Sequence, residues 1–220
     1  MSARGETPDL FALPASVEPR VAIGPDAVWL RGFVTDAQLL LEAIEGVVAQ
    51  APLRNMRTPG GRRMSVAMTN CGEVGWVSDT RGYRYATADP LTGSAWPAMP
   101  AAFFRLAQSA AAAAGFATFE PDACLVNCYT PGTRLSLHQD KNERDFAAPI
   151  VSVSLGLSAT FLFGGPRRTV CVRRWRLEHG DVVVWGGESR LYYHGLAPLE
   201  EGVHALAGAR RLNLTLRRAS

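Results

Sequence analysis

The chain has 220 residues, 47% of them apolar, a formal charge of +3 and four cysteines; that length and composition suit one globular domain with a sizeable core. No apolar run approaches the roughly 18 residues a membrane span requires, and residues 1–20 lack the apolar stretch of a signal peptide, which excludes a membrane partner and leads us to expect a cytoplasmic chain. Without a CxxC pair, Cys71, Cys124, Cys128 and Cys171 read as reduced, mostly buried thiols.

Residues 1–20 contain proline and show no periodicity, so they read as a flexible tail ahead of a single domain over 21–220. TDAQLLLEAIEGVVAQ (35–50) predicts a helix, with Thr35 and Asp36 as N-cap candidates and Leu40, Ile44, Val47 and Val48 on one face. RMSVAMT (63–69) alternates Met64, Val66 and Met68 against Arg63, Ser65 and Ala67 and predicts a strand. PAAFFRLAQSAAAAAG (100–115) predicts a second helix, opened by Pro100 and closed by Gly115. In CLVNCYTPG (124–132) Asn127 and Tyr129 fall on one side, Val126 and Cys128 on the other. IVSVSLGL (150–157) alternates Val151, Val153 and Leu155 against serines, and ATFLFGG, VCVRRWRL, DVVVWGG, RLYYHG and RLNLTLR follow as short strands. The last puts Arg211, Asn213, Thr215 and Arg217 on one face and three leucines on the other, so one face packs on the core while two guanidiniums and an amide stand together. Helices followed by many short strands indicate a mainly β fold, a sandwich or barrel backed by helices.

Of 23 basic residues only Lys141 is a lysine. A GC-rich coding sequence would explain that, but the clusters Arg54, Arg57, Arg62, Arg63 and Arg167, Arg168, Arg173, Arg174, Arg176 also suit phosphates, which makes nucleic acid the first candidate partner.

The stretch LSLHQDKNE (135–143) carries the chemistry. On a strand, His138 and Asp140 would point to the same side, and an imidazole with a carboxylate makes two of the three ligands of a 2-His-1-carboxylate iron site. A solvated strand end is the plain alternative. The second such pair, His179 and Asp181, flanks Gly180 and reads as hairpin turn chemistry. Beside an iron site, two arginines on one face look like a receptor for a dicarboxylate, since charge-assisted hydrogen bonds contribute about 1.5–3 kcal/mol each.

Seven segments carry a closer resemblance: MSVAMTNCGEVGW (64–76), WPAMP (96–100), PDACLVNCYTPG (121–132), LSLHQDKNE, PIVSVSLGL (149–157), LEHGDVVVWGGESRLYYHG (177–195) and RLNLTLR. In order and content they resemble the AlkB family of Fe(II)/2-oxoglutarate-dependent dioxygenases, the alkylated-DNA repair enzymes. The resemblance implies a double-stranded β-helix (jelly roll) over about 120–220, preceded by a nucleotide-recognition flap over about 50–95. It implies His138, Asp140 and His194 as iron ligands, and Asn127, Tyr129, Arg211, Asn213 and Arg217 as 2-oxoglutarate contacts, Arg217 at the end near the metal. Trp76, Tyr83, Tyr85, Asn142 and Arg168 become substrate contacts, with Trp76 stacking on the base opposite His138. The implied reaction consumes 2-oxoglutarate and O₂ and demethylates 1-methyladenine or 3-methylcytosine in single- or double-stranded DNA, releasing succinate, CO₂ and formaldehyde from a monomeric enzyme. Asn142 departs from the family, which commonly has an acid there.

Two other readings compete. One is the same chemistry on methylated RNA, tRNA or a small metabolite; Trp76, Tyr83 and the arginines favour nucleic acid over a metabolite. The other is a non-catalytic jelly-roll binding module, which leaves the triad, the arginines and the flap unexplained together.

Overall fold

A computed structural model describes residues 18–220. The expected N-terminal tail lies, up to residue 17, outside the described residues. The elements run β1 (Arg20–Gly24), β2 (Ala27–Leu30), α1 (Ala37–Gln50), β3 (Ala67–Gly72), β4 (Gly75–Asp79), β5 (Gly82–Ala86), α2 (Ala101–Ala114), β6 (Ala123–Tyr129), β7 (Leu135–His138), β8 (Ile150–Gly156), β9 (Ala159–Phe163), β10 (Arg173–Leu177), β11 (Val182–Trp185), β12 (His194–Leu196) and β13 (Arg211–Arg217).

Both predicted helices form near their expected bounds. Asp36 caps α1 by accepting from the Leu39 backbone N–H, and Gly115 ends α2 in the left-handed conformation that lacks a Cβ penalty. Leu40, Leu41, Ile44 and Val47 of α1, with Phe103, Ala107 and Ala111 of α2, pack on Val126, Val151, Val153, Val184, Leu212, Leu214 and Leu216. Fully burying one such leucine contributes about 1.5–3 kcal/mol, so this layer supplies much of the stability. The alanines of α2 keep that helix close to the sheet.

The sheet beneath the helices has seven strands in the order β1-β2-β11-β8-β13-β6-β3; a second sheet, β10-β9-β12-β7, faces its other side, and β4-β5 form a separate hairpin. All pairings are antiparallel. This is the jelly-roll arrangement the resemblance implied, with β4-β5 where the flap was expected. The large sheet reaches outside 120–220, however: β1, β2 and β3 extend both its edges.

Several local expectations are corrected. The strand expected at 63–69 begins only at Ala67, because residues 54–64 fold into a brace in which Met64 N–H donates to Met56 and Arg54 pairs with Met68. In RLYYHG the residues up to Tyr193 form a turn and strand pairing starts at His194. The Gly180–Asp181 turn joins β10 of one sheet to β11 of the other, so it is an inter-sheet link and not a hairpin; the Asp181 carboxylate accepts from the backbone N–H of Gly32 and Glu178.

Candidate metal centre and cofactor cleft

The central strands of the large sheet carry two opposite faces, and both are buried. In β13 the leucines meet the helices, while Arg211, Asn213, Thr215 and Arg217 point between the sheets, each 6% exposed or less. Cross-strand register sets Asn213 opposite Asn127 and Ser154, and Arg211 opposite Tyr129 and Gly156. Hydrogen bonds knit these into one polar layer. Asn213 Nδ2 donates to Ser152 Oγ at 2.9 Å and to the Val153 carbonyl at 2.8 Å, Thr215 Oγ1 donates to Asn213 Oδ1 at 2.9 Å, and Asn127 Nδ2 reaches the same oxygen at 3.2 Å.

The two histidines meet because β7 and β12 pair in a register that sets His194 opposite His138, with ring centroids 4.4 Å apart. The strands approach so closely there that a Cβ at Gly195 would stand 2.6 Å from the Leu135 carbonyl oxygen; only glycine fits. β7 ends at His138, so Asp140 reaches the pair from just past the strand end and not from the strand itself. Its Oδ1 lies 3.6 Å from His138 Nε2 and its Oδ2 3.7 Å from His194 Nε2. One donor atom from each of the three residues falls within a 4.8 Å cluster.

The protonation chemistry of this cluster suits a metal. His138 Nδ1 sits 2.9 Å from the Ser136 carbonyl and His194 Nδ1 3.0 Å from the Tyr192 carbonyl. A carbonyl only accepts, so each Nδ1 carries the proton and each Nε2 offers its lone pair. Burial, with His138 alongside, pushes the His194 imidazole down to about 3 against the pull of Asp140, which keeps it neutral. For Asp140, burial alone would raise the carboxyl; Arg217, with His194 and His138, overrides it and holds the group well below the usual carboxylate range. Arg217 donates to Asp140 Oδ2 from Nε at 2.9 Å and from Nη2 at 2.6 Å.

Arg211 supplies the fit for a dicarboxylate. It is 2% exposed and has no carboxylate partner among the described residues; Nη2 donates to Ser154 Oγ at 2.9 Å, while its Nε and the Asn127 Oδ1 have no partner. A buried, uncompensated cation is costly by several kcal/mol, so an anionic ligand complements it. Its carbon stands 5.2 Å from the Tyr129 ring centroid, and burial pushes that phenol up, so it stays a donor.

These groups line one cleft of about 540 Å³, together with Trp76, Tyr83, Asn142 and Arg168. Trp76 stacks on Tyr83 at 5.6 Å with 14° between the planes, and its indole N–H donates to Asn142 Oδ1 at 3.3 Å. Tyr85 differs from expectation. It does not line the cleft; its hydroxyl donates to Glu143 Oε1 at 2.6 Å. Glu143 and Arg190, both overlooked in the sequence, form a buried pair behind the centre, and Arg190 Nη1 also donates to the Asp140 backbone carbonyl at 2.9 Å. The only hint was position, one residue past Asn142 and four before His194.

The arginine clusters separate into two kinds. Arg54 pairs with Asp89, Arg57 donates to the Gly61 carbonyl and Arg63 to Asn55, so these brace a loop; Arg176 pairs with Glu178 and Glu200. Arg167, Arg168, Arg173 and Arg174 stay exposed, with the Arg168 guanidinium 5.9 Å from the Tyr193 ring centroid at the cleft.

Comparison with known proteins agrees with this geometry. Residues 26–217 match the model of the 2OG-Fe(II) oxygenase superfamily. The alpha-ketoglutarate-dependent dioxygenase AlkB of Salmonella typhimurium is 57% identical over 213 residues, covering 96% of this chain and 98% of that protein. The DNA N(6)-methyladenine demethylase ALKBH1C of Arabidopsis thaliana is 35% identical over 173 residues, 67% of this chain and 38% of its own length. The solved structure of OsALKBH1 superposes with a TM-score of 0.80 at 29% identity, covering 91% of this chain and all of that one.

Proposed function

The chain belongs to the 2OG-Fe(II) oxygenase superfamily, in its AlkB branch, and on that premise we propose that it demethylates N-alkylated nucleobases such as 1-methyladenine and 3-methylcytosine in DNA, a direct repair of alkylation damage. The observation that carries this reading is a single cleft with a His-Asp-His cluster and a buried guanidinium at its floor and stacked aromatics at its rim.

Bound in this cleft, Fe(II) with 2-oxoglutarate and O₂ supplies the oxidation, giving succinate, CO₂ and a hydroxymethyl group that leaves the base as formaldehyde. His138, Asp140 and His194 would hold the iron through two Nε2 lone pairs and a carboxylate. Arg217 orients that carboxylate through Oδ2. Arg211 would take the distal carboxylate of 2-oxoglutarate, with Tyr129, Asn127 and Asn213 completing its hydrogen bonds. No protein nucleophile or general acid is needed, because cofactor and metal perform the hard step while the protein positions and shields them.

The charge of the lining favours a polyanion. Among the described residues, Arg134, Lys141, Arg168, Arg211 and Arg217 face the cleft against one carboxylate, Asp140. A methyl group on a Watson–Crick edge cannot be reached within a duplex, so the nucleotide is flipped or already unpaired, at a cost of a few kcal/mol. Stacking on Trp76 offsets it by about 1–3 kcal/mol. We take residues 21–220 as one dioxygenase domain that acts as a monomer in the cytoplasm.

The test is formaldehyde release from oligonucleotides carrying 1-methyladenine or 3-methylcytosine, with Fe(II), 2-oxoglutarate and O₂ supplied to anaerobically purified protein. Release that disappears in Asp140→Ala is the expected result. Succinate without formaldehyde would keep the cofactor chemistry and overturn the substrate; methylated RNA oligonucleotides in parallel decide between the two polymers.

A further inference from the structure

Two of the four histidines stand outside the metal cluster, and the fold brings them together. His179 belongs to the turn between β10 and β11, and His204 to the segment between β12 and β13; their rings stack at 4.2 Å with 23° between the planes. Each ring has its tautomer fixed by the backbone. The Gly156 N–H donates to His179 Nδ1 at 2.9 Å, and the Leu206 and Ala207 N–H groups reach His204 Nδ1 at 3.2 and 3.4 Å. A nitrogen that accepts carries no proton, so both imidazoles are neutral with the proton on Nε2.

The two rings hold the end of β8, beside Arg211. There the ladder between β8 and β11 gives out. Ser154 N–H donates to the Asp181 carbonyl and its own carbonyl accepts from Gly180, but at Gly156 the His179 ring takes the place of a strand partner. Ser154 Oγ accepts from Arg211 Nη2, and Gly156 stands opposite Arg211 in the register of β8 and β13. His204 closes the other side. Its turn sets Ala207 against Gly156, where a Cβ would come within 2.8 Å of the Ala207 Cβ and strike the Arg210 carbonyl.

The charged groups around the pair are engaged elsewhere. Glu178 bonds Ser158 and Arg176, Arg176 also pairs with Glu200, Asp181 accepts from the Gly32 and Glu178 backbone, Arg210 donates to the Ala207 carbonyl, and Glu201 stands exposed. A proton gained by His179 therefore meets no carboxylate among the described residues and displaces the Gly156 N–H. Burial, with His204 alongside, already pushes His179 below its ordinary 6.5. What the neutral ring contributes is complete above the unfolded value near 6.5 and is lost as pH falls below it.

We propose that His179, with His204 stacked on it, is a positioning residue for the 2-oxoglutarate receptor that works only while neutral, so that acidification loosens the grip of Arg211 on the co-substrate. The inference rests on the reading of Arg211 as the receptor for the distal carboxylate and deepens it.

Asparagine brings an amide oxygen to the place of the histidine Nδ1 and does not titrate. Calorimetry of 2-oxoglutarate, with Fe(II) present and O₂ excluded, compares the full chain with His179→Asn between about pH 8 and about pH 5.5. Protonation of the metal ligands weakens both chains alike, so the ratio of their Kd values isolates His179. The two should agree within about twofold at the upper pH, and the natural chain should bind about tenfold more weakly at the lower, the worth of one hydrogen bond. A ring that only packs leaves the ratio flat, and a flat ratio would overturn the inference. A second measurement needs no variant. By linkage, a co-substrate that favours the neutral ring lowers the pH at which that ring titrates. Proton NMR of the chain, with Zn(II) in place of iron, should show the shift, and a titration midpoint unmoved by 2-oxoglutarate would equally count against the proposal. Binding retained at full strength in Arg211→Ala would overturn the receptor reading and the inference with it.

Discussion

At the floor of the cleft Asn127, Arg211, Asn213 and Thr215 stand on central strands of a seven-stranded sheet, none more than 6% exposed. At the rim Trp76 and Tyr83 stand on a two-stranded hairpin, and Tyr83 is 45% exposed. The floor is over-determined in its backbone, since β6 and β13 are each paired on both sides and rest on a helix-backed core. The hairpin rests on a small cluster of Val77 with Ala51 and Trp96 and on a few polar contacts, among them Asn70 to the Trp76 backbone, Ser78 to the Arg57 carbonyl, Trp76 to Asn142 and Tyr85 to Glu143. Isolated two-stranded hairpins are marginal in water, so those contacts decide where the rim sits. Such a division lets the chemistry stay fixed while recognition is adjusted by single residues.

The comparison can be broken at its deep end first. Asp140→Ala removes one of three proposed metal ligands and leaves Arg217 only its longer pairing with Glu143, so iron content after anaerobic reconstitution and succinate formation should both fall to background. Retained iron with normal succinate would move the chemistry elsewhere. Next comes the connection between the two ends. Arg190→Met severs the buried pair with Glu143 and the bond to the Asp140 carbonyl, and should cost about 3 kcal/mol in urea unfolding.

A smaller effect sharpens the contrast. Tyr85→Phe removes one hydrogen bond to Glu143 and should raise KM for a methylated oligonucleotide by up to about tenfold, with the KM for 2-oxoglutarate unchanged. The smallest lies just past β5, where the chain leaves the hairpin. There burial would raise the Asp89 carboxyl, but Arg54 and the Leu91 backbone N–H override it and hold it below its ordinary value. A depressed carboxylate stabilises the fold above the unfolded value near 4 and loses that contribution as pH falls through the folded value. Asp89→Asn should therefore cost roughly 1 kcal/mol at neutral pH, and the difference from the natural chain should shrink in acid below about pH 4.

How much of this was legible in the sequence follows from what periodicity can carry. The period-2 pattern of RLNLTLR revealed its two faces, but not that the polar face looks into a cleft between sheets and not into solvent; alternation is the same in both cases. His138 and Asp140 announced themselves by spacing, whereas the arrival of His194 depends on strand register over 56 residues, which only the family resemblance anticipated. β2, with the sequence AVWL buried at all four positions, has no alternation to read and was missed. Glu143 and Arg190 lie outside the strands, where burial leaves no periodic trace. Tyr85 was read as a substrate contact, yet its hydroxyl donates to Glu143 and the residue stands outside the cleft lining.

The division between floor and rim is tested most directly by titrating two ligands into two variants by calorimetry, with Fe(II) present and O₂ excluded. Arg211→Ala should lose 2-oxoglutarate binding and keep its affinity for a methylated oligonucleotide, while Trp76→Ala should show the reverse. If each variant loses both ligands together, the two ends are one cooperative unit and this account of the cleft is wrong.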